Sequence, residues 1–356
     1  MLETYAIEAT EQNWLGTCLT AALLTSLARL DEGEFPAIFP ADAPIEYREV
    51  ISRFTGIVER FNRLMDALAG LNEIERGSVR SAIETQNRIP EIFDGVTQCS
   101  ACKDTLPDIH DLAKELFKFS FKALSSIKTP GAETSVRDIH FQIAYHHLSK
   151  KCCPCCGMER LEPPHSDIPR PDLDHYLHVS QYPFCGANLK NLVPMGDRCN
   201  SSYKLAKDIL FDQQGNRLLC YDPYGDATAG FSLAGSKILG TETGEPIWNI
   251  NLGPESPQTA NWDRIFGIKI RLEQSLNAEF ASWANDIGGV LAGLGYDLDV
   301  LEEVSEGLIR YRQICGTEAL FGIGHLKAEI ASLFIQDLGS NETRERTHAF
   351  LKEASS

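Results

Sequence analysis

The chain has 356 residues, 43% of them hydrophobic and 23% charged, the composition of a globular protein with ample core. It contains no run of about 18 apolar residues, and its acidic start, MLETYAIEATEQNW, lacks the basic opening of a secretory signal; we expect no membrane span and a cytoplasmic location. A formal charge of −17 excludes a generic basic binder of nucleic acid.

The first 95 residues read as helical and carry no lysine, with eight arginines against sixteen acidic residues. NWLGTCLTAALLTSLARL suggests a buried helix and FPAIFPADAP a proline-broken loop. In ISRFTGIVERFNRLMDALAGL, Ile51, Phe54, Ile57, Val58, Phe61, Leu64, Met65 and Leu68 keep the i, i+3, i+4 spacing of an amphipathic helix. Turns are expected near Gly77, Pro90 and Gly95. Two further helices, DIHDLAKELFKFSFKALSSI and SVRDIHFQIAYHHLSK, flank the break TPGAET. Adjacent His146 and His147 project about 100° apart and cannot share one helical face; they and His110 and His140 are read as structural.

Eleven cysteines in a chain without an export signal favour metal thiolate over disulfide, above all where they stand in CxxC spacing. Two such pairs occur, Cys99/Cys102 and Cys153/Cys156. A tight turn lets each pair bind one zinc ion with two thiolates, so the two pairs together complete a closed tetrahedral site. Cys152 and Cys155 crowd the second pair and leave its exact ligands open.

After the proline-rich lead-in LEPPHSDIPRP come a short strand, LDHY, a loop, HVSQYPFCGANLK, a returning strand, NLVPM, and a helix, DRCNSSYKLAKD, for which Asp197 is the expected cap. Between Lys150 and Asp208 eight basic residues stand against seven acidic ones, a nearly neutral window in an acidic chain. A histidine beside a carboxylate, with a carboxamide on the next helix, suits one hard divalent cation held next to a general base. Beyond Asp208 the sequence suggests a hairpin, ILFDQQGNRLLCYDPYGD, and strands in FSLAGSKIL and EPIWNINLG. A long helix follows from Asn261 to Ile287, then a glycine-broken stretch, GGVLAGLG, two more helices and a polar tail that frays from Ser340.

The ordered elements LDHYLHVSQYP, NLVPM, Cys199-Asn200 and Lys204 resemble the HNH endonucleases, in a bacterial subgroup whose finger reads Asp-His-Tyr-Leu-Pro, Tyr-Pro, Asn-Leu-Val-Pro, then Cys-Asn and a Lys. His178 stands where that family commonly has proline, and Gly196 where the second knuckle's first cysteine is usual. The resemblance implies an α+β, mostly helical fold with a central ββα-metal finger and CxxC zinc knuckles between helical flanks. The expected regions are 1–95, 96–210 (knuckle and nuclease), 211–340 and a tail, 341–356.

By the same resemblance, His175 is the general base, Asp174 and Asn200 hold Mg²⁺ or Mn²⁺, and Asn191 holds the loop that orients His175. Lys204, Arg198 and Lys207 contact phosphate. Cys99, Cys102, Cys153 and Cys156 hold structural Zn²⁺, with Cys199 the alternative ligand. The implied substrate is DNA, with RNA as the alternative. The implied setting is anti-phage defence, beside an ATPase or another defence protein. The competing reading is a catalytically silent zinc-binding interaction module.

Overall fold

The computed structural model describes residues 2–164, 173–240, 245–317 and 323–354; the expected lead-in from His165 to Asp172 and the start of the helix expected at Glu318 lie outside them. The fold is α+β and mostly helical, with two small antiparallel sheets. It divides into two compact units. One comprises Thr4–Leu148 and Leu161–Ala227; the other comprises residues 2–3, Ser149–Arg160 and the chain from Thr228.

The first unit holds α1 (Trp14–Asp31), α2 (Ile45–Ser52), α3 (Thr55–Ala69), α4 (Glu73–Gln86), α5 (Pro107–Ala123) and α6 (Val136–His147). Its core forms where amphipathic faces meet: Ile57, Phe61, Leu64 and Leu68 of α3 are buried in one cluster with Ile109, Ala113, Leu116 and Phe117 of α5. Each such side chain contributes about 1.5–3 kcal/mol on leaving water. The helix expected over residues 51–71 breaks at Phe54, whose backbone (φ −98°, ψ 67°) is not helical. The turn expected at Gly77 is instead helix interior. Asn72 and Glu75 form a reciprocal capping box, and its fixed start carries α4 through the glycine.

Within this unit β1 (Leu173–His175) pairs antiparallel with β2 (Leu192–Pro194), placing Asp174 opposite Val193 and His175 opposite Leu192. Three-residue strands cannot stand alone. His140 of α6 supports them, its Nε2 3.0 Å from Leu192 O and its Nδ1 2.8 Å from Ala9 O.

The second unit holds β3 (Gly230–Ser232) paired with β4 (Asn251–Gly253), α7 (Pro257–Phe266), α8 (Ile268–Gly293), α9 (Leu301–Thr317), α10 (Ile323–Gly339) and α11 (Arg344–Ala354). Three expectations change here. The long helix from Asn261 is cut at Gly267, which adopts φ 60°, ψ 44°, a conformation that ends a helix most readily at glycine. The stretch GGVLAGLG continues α8 as far as Gly293 because Ile287, Gly288 and Leu291 are buried along it. The tail is helical, since Thr347 and Leu351 are buried and Phe350 stacks on Phe280 and Phe334 at 6.1 and 6.0 Å. Among the described residues no helix is long and apolar enough to cross a membrane.

Candidate active site

Asn191 is fully buried at the entry to β2, and its carboxamide closes the loop behind β1. Its Oδ1 accepts from Leu177 N at 2.6 Å, while its Nδ2 donates to Leu177 O at 3.1 Å and Cys185 O at 3.3 Å. The loop so held presents Gly186 O to Nε2 of His175 at 2.9 Å. Only glycine fits there: a Cβ at position 186 would lie 2.9 Å from Val179 Cγ2 and 3.1 Å from Phe117 Cβ.

A carbonyl oxygen only accepts, so Nε2 carries the proton and the lone pair belongs to Nδ1. Nδ1 makes no hydrogen bond among the described residues. Burial lowers the His175 pKa to about 4, outweighing the opposing effects of Gly186 O and Asp174. The ring packs 4.4 Å from that of Phe121. His175 is therefore a neutral imidazole at pH 7, its ring fixed through Nε2 and its Nδ1 lone pair available to accept a proton.

Asp174 is the neighbour of His175 on β1. Its partner is Lys204, which is fully buried. The Lys204 ammonium lies 2.7 Å from Asp174 Oδ2, off the line a hydrogen bond requires, so charge alone holds the pair and Oδ2 has no hydrogen bond. The aligned hydrogen bond from Lys204 goes to His175 O at 2.7 Å. Lys204, for which a phosphate contact was expected, thus pairs in this structure with Asp174 and His175 O. Arg198 and Lys207 are exposed, and Asn200 is half-buried.

The expected helix begins at Asp197 and Arg198 and continues as a π-helical turn, Cys199–Lys204, closed by Leu205 N donating to Asn200 O at 3.0 Å; Asp197 is its first residue rather than its cap. The Asn200 carboxamide makes no hydrogen bond among the described residues.

Cys153, Cys156 and Cys199 are buried, and their sulfur atoms lie within 4.8 Å of one another. Tetrahedral zinc, with Zn–S of about 2.3 Å, spaces its thiolates about 3.8 Å apart, so this group can hold a metal such as zinc. The knuckle turns through Gly157 at φ 63°, with Gly157 N on Cys153 O at 2.7 Å. Met158 N donates to Cys156 Sγ at 3.4 Å.

Cys99 and Cys102 are outside this group. Burial pushes their thiols up to about 12 and about 11, and Cys102 packs in the hydrophobic core. The structure thus gathers one CxxC pair with Cys199, while Cys102 of the other pair packs among apolar neighbours.

Sequence reading passed over Gly186 and Phe121. A glycine five residues before Asn191 was visible as a turn signal; Phe121 lies on a distant helix and left no trace. No protein-family model, curated protein or solved structure matches the chain.

Proposed function

We propose that the chain is a metal-dependent endonuclease of the HNH kind, hydrolysing phosphodiester bonds of DNA. The observation that carries this reading is His175: a neutral imidazole fixed through Nε2, with Nδ1 unbonded, beside a carboxylate on the same strand. The ribbon of β1 and β2 followed by a helical turn supports a ββα-metal finger. In this mechanism Nδ1 of His175 takes the proton of the attacking water, and Nε2–H on Gly186 O keeps the tautomer and the ring direction constant. Asn191 acts one step back, holding the loop that carries Gly186. Asp174 and Asn200 are the residues that hold Mg²⁺ or Mn²⁺, which supplies charge neutralisation at the scissile phosphate. Cys153, Cys156 and Cys199 hold structural zinc.

The acidic chain favours a setting in which another protein delivers substrate, such as an ATPase of a bacterial anti-phage system, because self-steering onto DNA is weak at this charge. One observation favours a catalytically silent zinc module instead: Asp174 already has a cationic partner.

The test is incubation of the purified chain with supercoiled plasmid and with single-stranded RNA in Mg²⁺ or Mn²⁺, beside a zinc-replete His175→Ala variant. Nicking that falls by about 10²–10⁴-fold in the variant is expected, the range for a general base. Cleavage of RNA alone would shift the substrate class. Equal cleavage by both proteins would remove His175 from the mechanism.

A further inference from the structure

Lys204 is the feature that neither the zinc cluster nor the base accounts for. A lysine with no exposed surface is rare unless paired, because desolvating an ammonium costs several kcal/mol. Here it is enclosed, and its partner is the carboxylate that the proposed function gives to a divalent ion. Two positive centres cannot share that carboxylate oxygen without strong repulsion at short range.

The chain around Lys204 is also unusual. Its turn is π-helical, a form that occurs mostly as local insertions at functional positions. The next residue, Leu205, sits at φ 47°, ψ −130°, a backbone state costly for a branched side chain, and is half exposed despite being apolar. Lys204 is thus kept inside by a turn that pays locally in backbone strain. Asn200, the other donor, belongs to the same turn, so any movement that withdraws Lys204 moves Asn200 as well.

We propose that Lys204 is a built-in competitor for the cation position on Asp174: it neutralises the carboxylate in the metal-free chain, and a divalent ion binds by driving its ammonium out. This rests on the reading of Asp174 as a cation ligand. A binding-competent state populated at 0.1–10% weakens apparent affinity 10- to 1,000-fold, so removing the competitor tightens binding by at least about tenfold.

Two measurements on the full chain test it, neither of which uses nuclease activity. Mn²⁺ binding is followed by calorimetry in the wild type, Lys204→Met and Lys204→Arg, with Asp174→Ala giving the background. Lys204→Met is expected to bind at least about tenfold more tightly than wild type, and Lys204→Arg, which keeps the charge, as weakly as wild type. Equal or weaker binding by a folded Lys204→Met overturns the proposal.

Should Lys204→Met fail to fold, the wild type alone decides. An amine-reactive ester followed by mass spectrometry leaves Lys204 unlabelled without metal and labels it at saturating Mn²⁺. Mn²⁺ bound at Asp174 with Lys204 still shielded overturns this inference and leaves the nuclease reading standing. No Mn²⁺ above the Asp174→Ala background in any variant overturns both.

Discussion

His175 is a residue whose burial has consequences at two pH ranges. Its folded pKa of about 4 lies below the ordinary value near 6.5. As pH falls, the unfolded chain takes up the proton first. The stability that depends on a neutral His175 is therefore complete above about pH 6.5 and is lost as pH drops toward 4. Urea titrations at pH 7.5 and 4.5 should show the wild type losing roughly 2–3 kcal/mol more than His175→Gln across that interval. Initial rates of cleavage should show no acid-side loss from His175 between pH 8 and 5.5, because the base stays unprotonated there.

Asn191 offers a second residue-level test. Its carboxamide satisfies the N–H and C=O of Leu177 and the C=O of Cys185, all within the fold. Asn191→Ala leaves those groups unpaired, at about 1–3 kcal/mol each for the ones that water cannot reach. A folded variant should bind zinc normally yet cleave more slowly, because Gly186 O no longer fixes the imidazole.

At the scale of elements, sequence and structure agree where periodicity is strong. The faces of α3 and α5 are legible in Phe61, Leu64 and Leu68 and in Leu116 and Phe117, because burial on one side of a helix imprints its own spacing. The strand containing Asp174 and His175 and the returning NLVPM were legible as short runs bounded by turns. The π turn was not. Asn200 to Leu205 reads as an ordinary polar helix, and a lysine in such a helix is taken for a surface residue; only a carboxylate on a different element, Asp174, makes burial of Lys204 tolerable. The cysteines show the same limit: Cys99/Cys102 and Cys153/Cys156 have identical spacing, and only tertiary packing brings a third thiol, Cys199, to the second pair.

The metal prediction belongs at this scale. Purified protein should carry about one zinc per chain by elemental analysis, and Cys199→Ser should lower that content and the midpoint of thermal unfolding together, since binding a metal in the folded state adds its free energy to folding. Unchanged zinc in Cys199→Ser would exclude Cys199 from the ligand set.

For the whole molecule, the division into two discontinuous units matters more than any single boundary. The unit built from Thr228 onward includes the knuckle segment Ser149–Arg160. Contacts that hold that segment include Trp262 Nε1 donating to Cys155 O at 2.6 Å and the buried Arg271 guanidinium pairing with Glu159 at 2.8 Å. Removing one partner of a buried ion pair costs about 3–5 kcal/mol. Arg271→Ala should therefore weaken zinc retention during chelator challenge as well as lower stability, although Arg271 lies outside the cysteine cluster. Retention equal to wild type would detach the helical C-terminal half from the metal centre.

The same layout sets a timetable for the chain as it is made. Trp262 follows Cys155 by 107 residues. At about 5–20 residues per second, the ribosome delivers Cys152, Cys153, Cys155 and Cys156 some 5–20 s before the indole that hydrogen-bonds their segment at Cys155 O. For that interval four neighbouring thiols face the solvent unsheltered, open to oxidants and to whichever soft metal arrives first. Any metal these thiols take would then be chosen partly by a race between translation and capture, before either unit has finished folding.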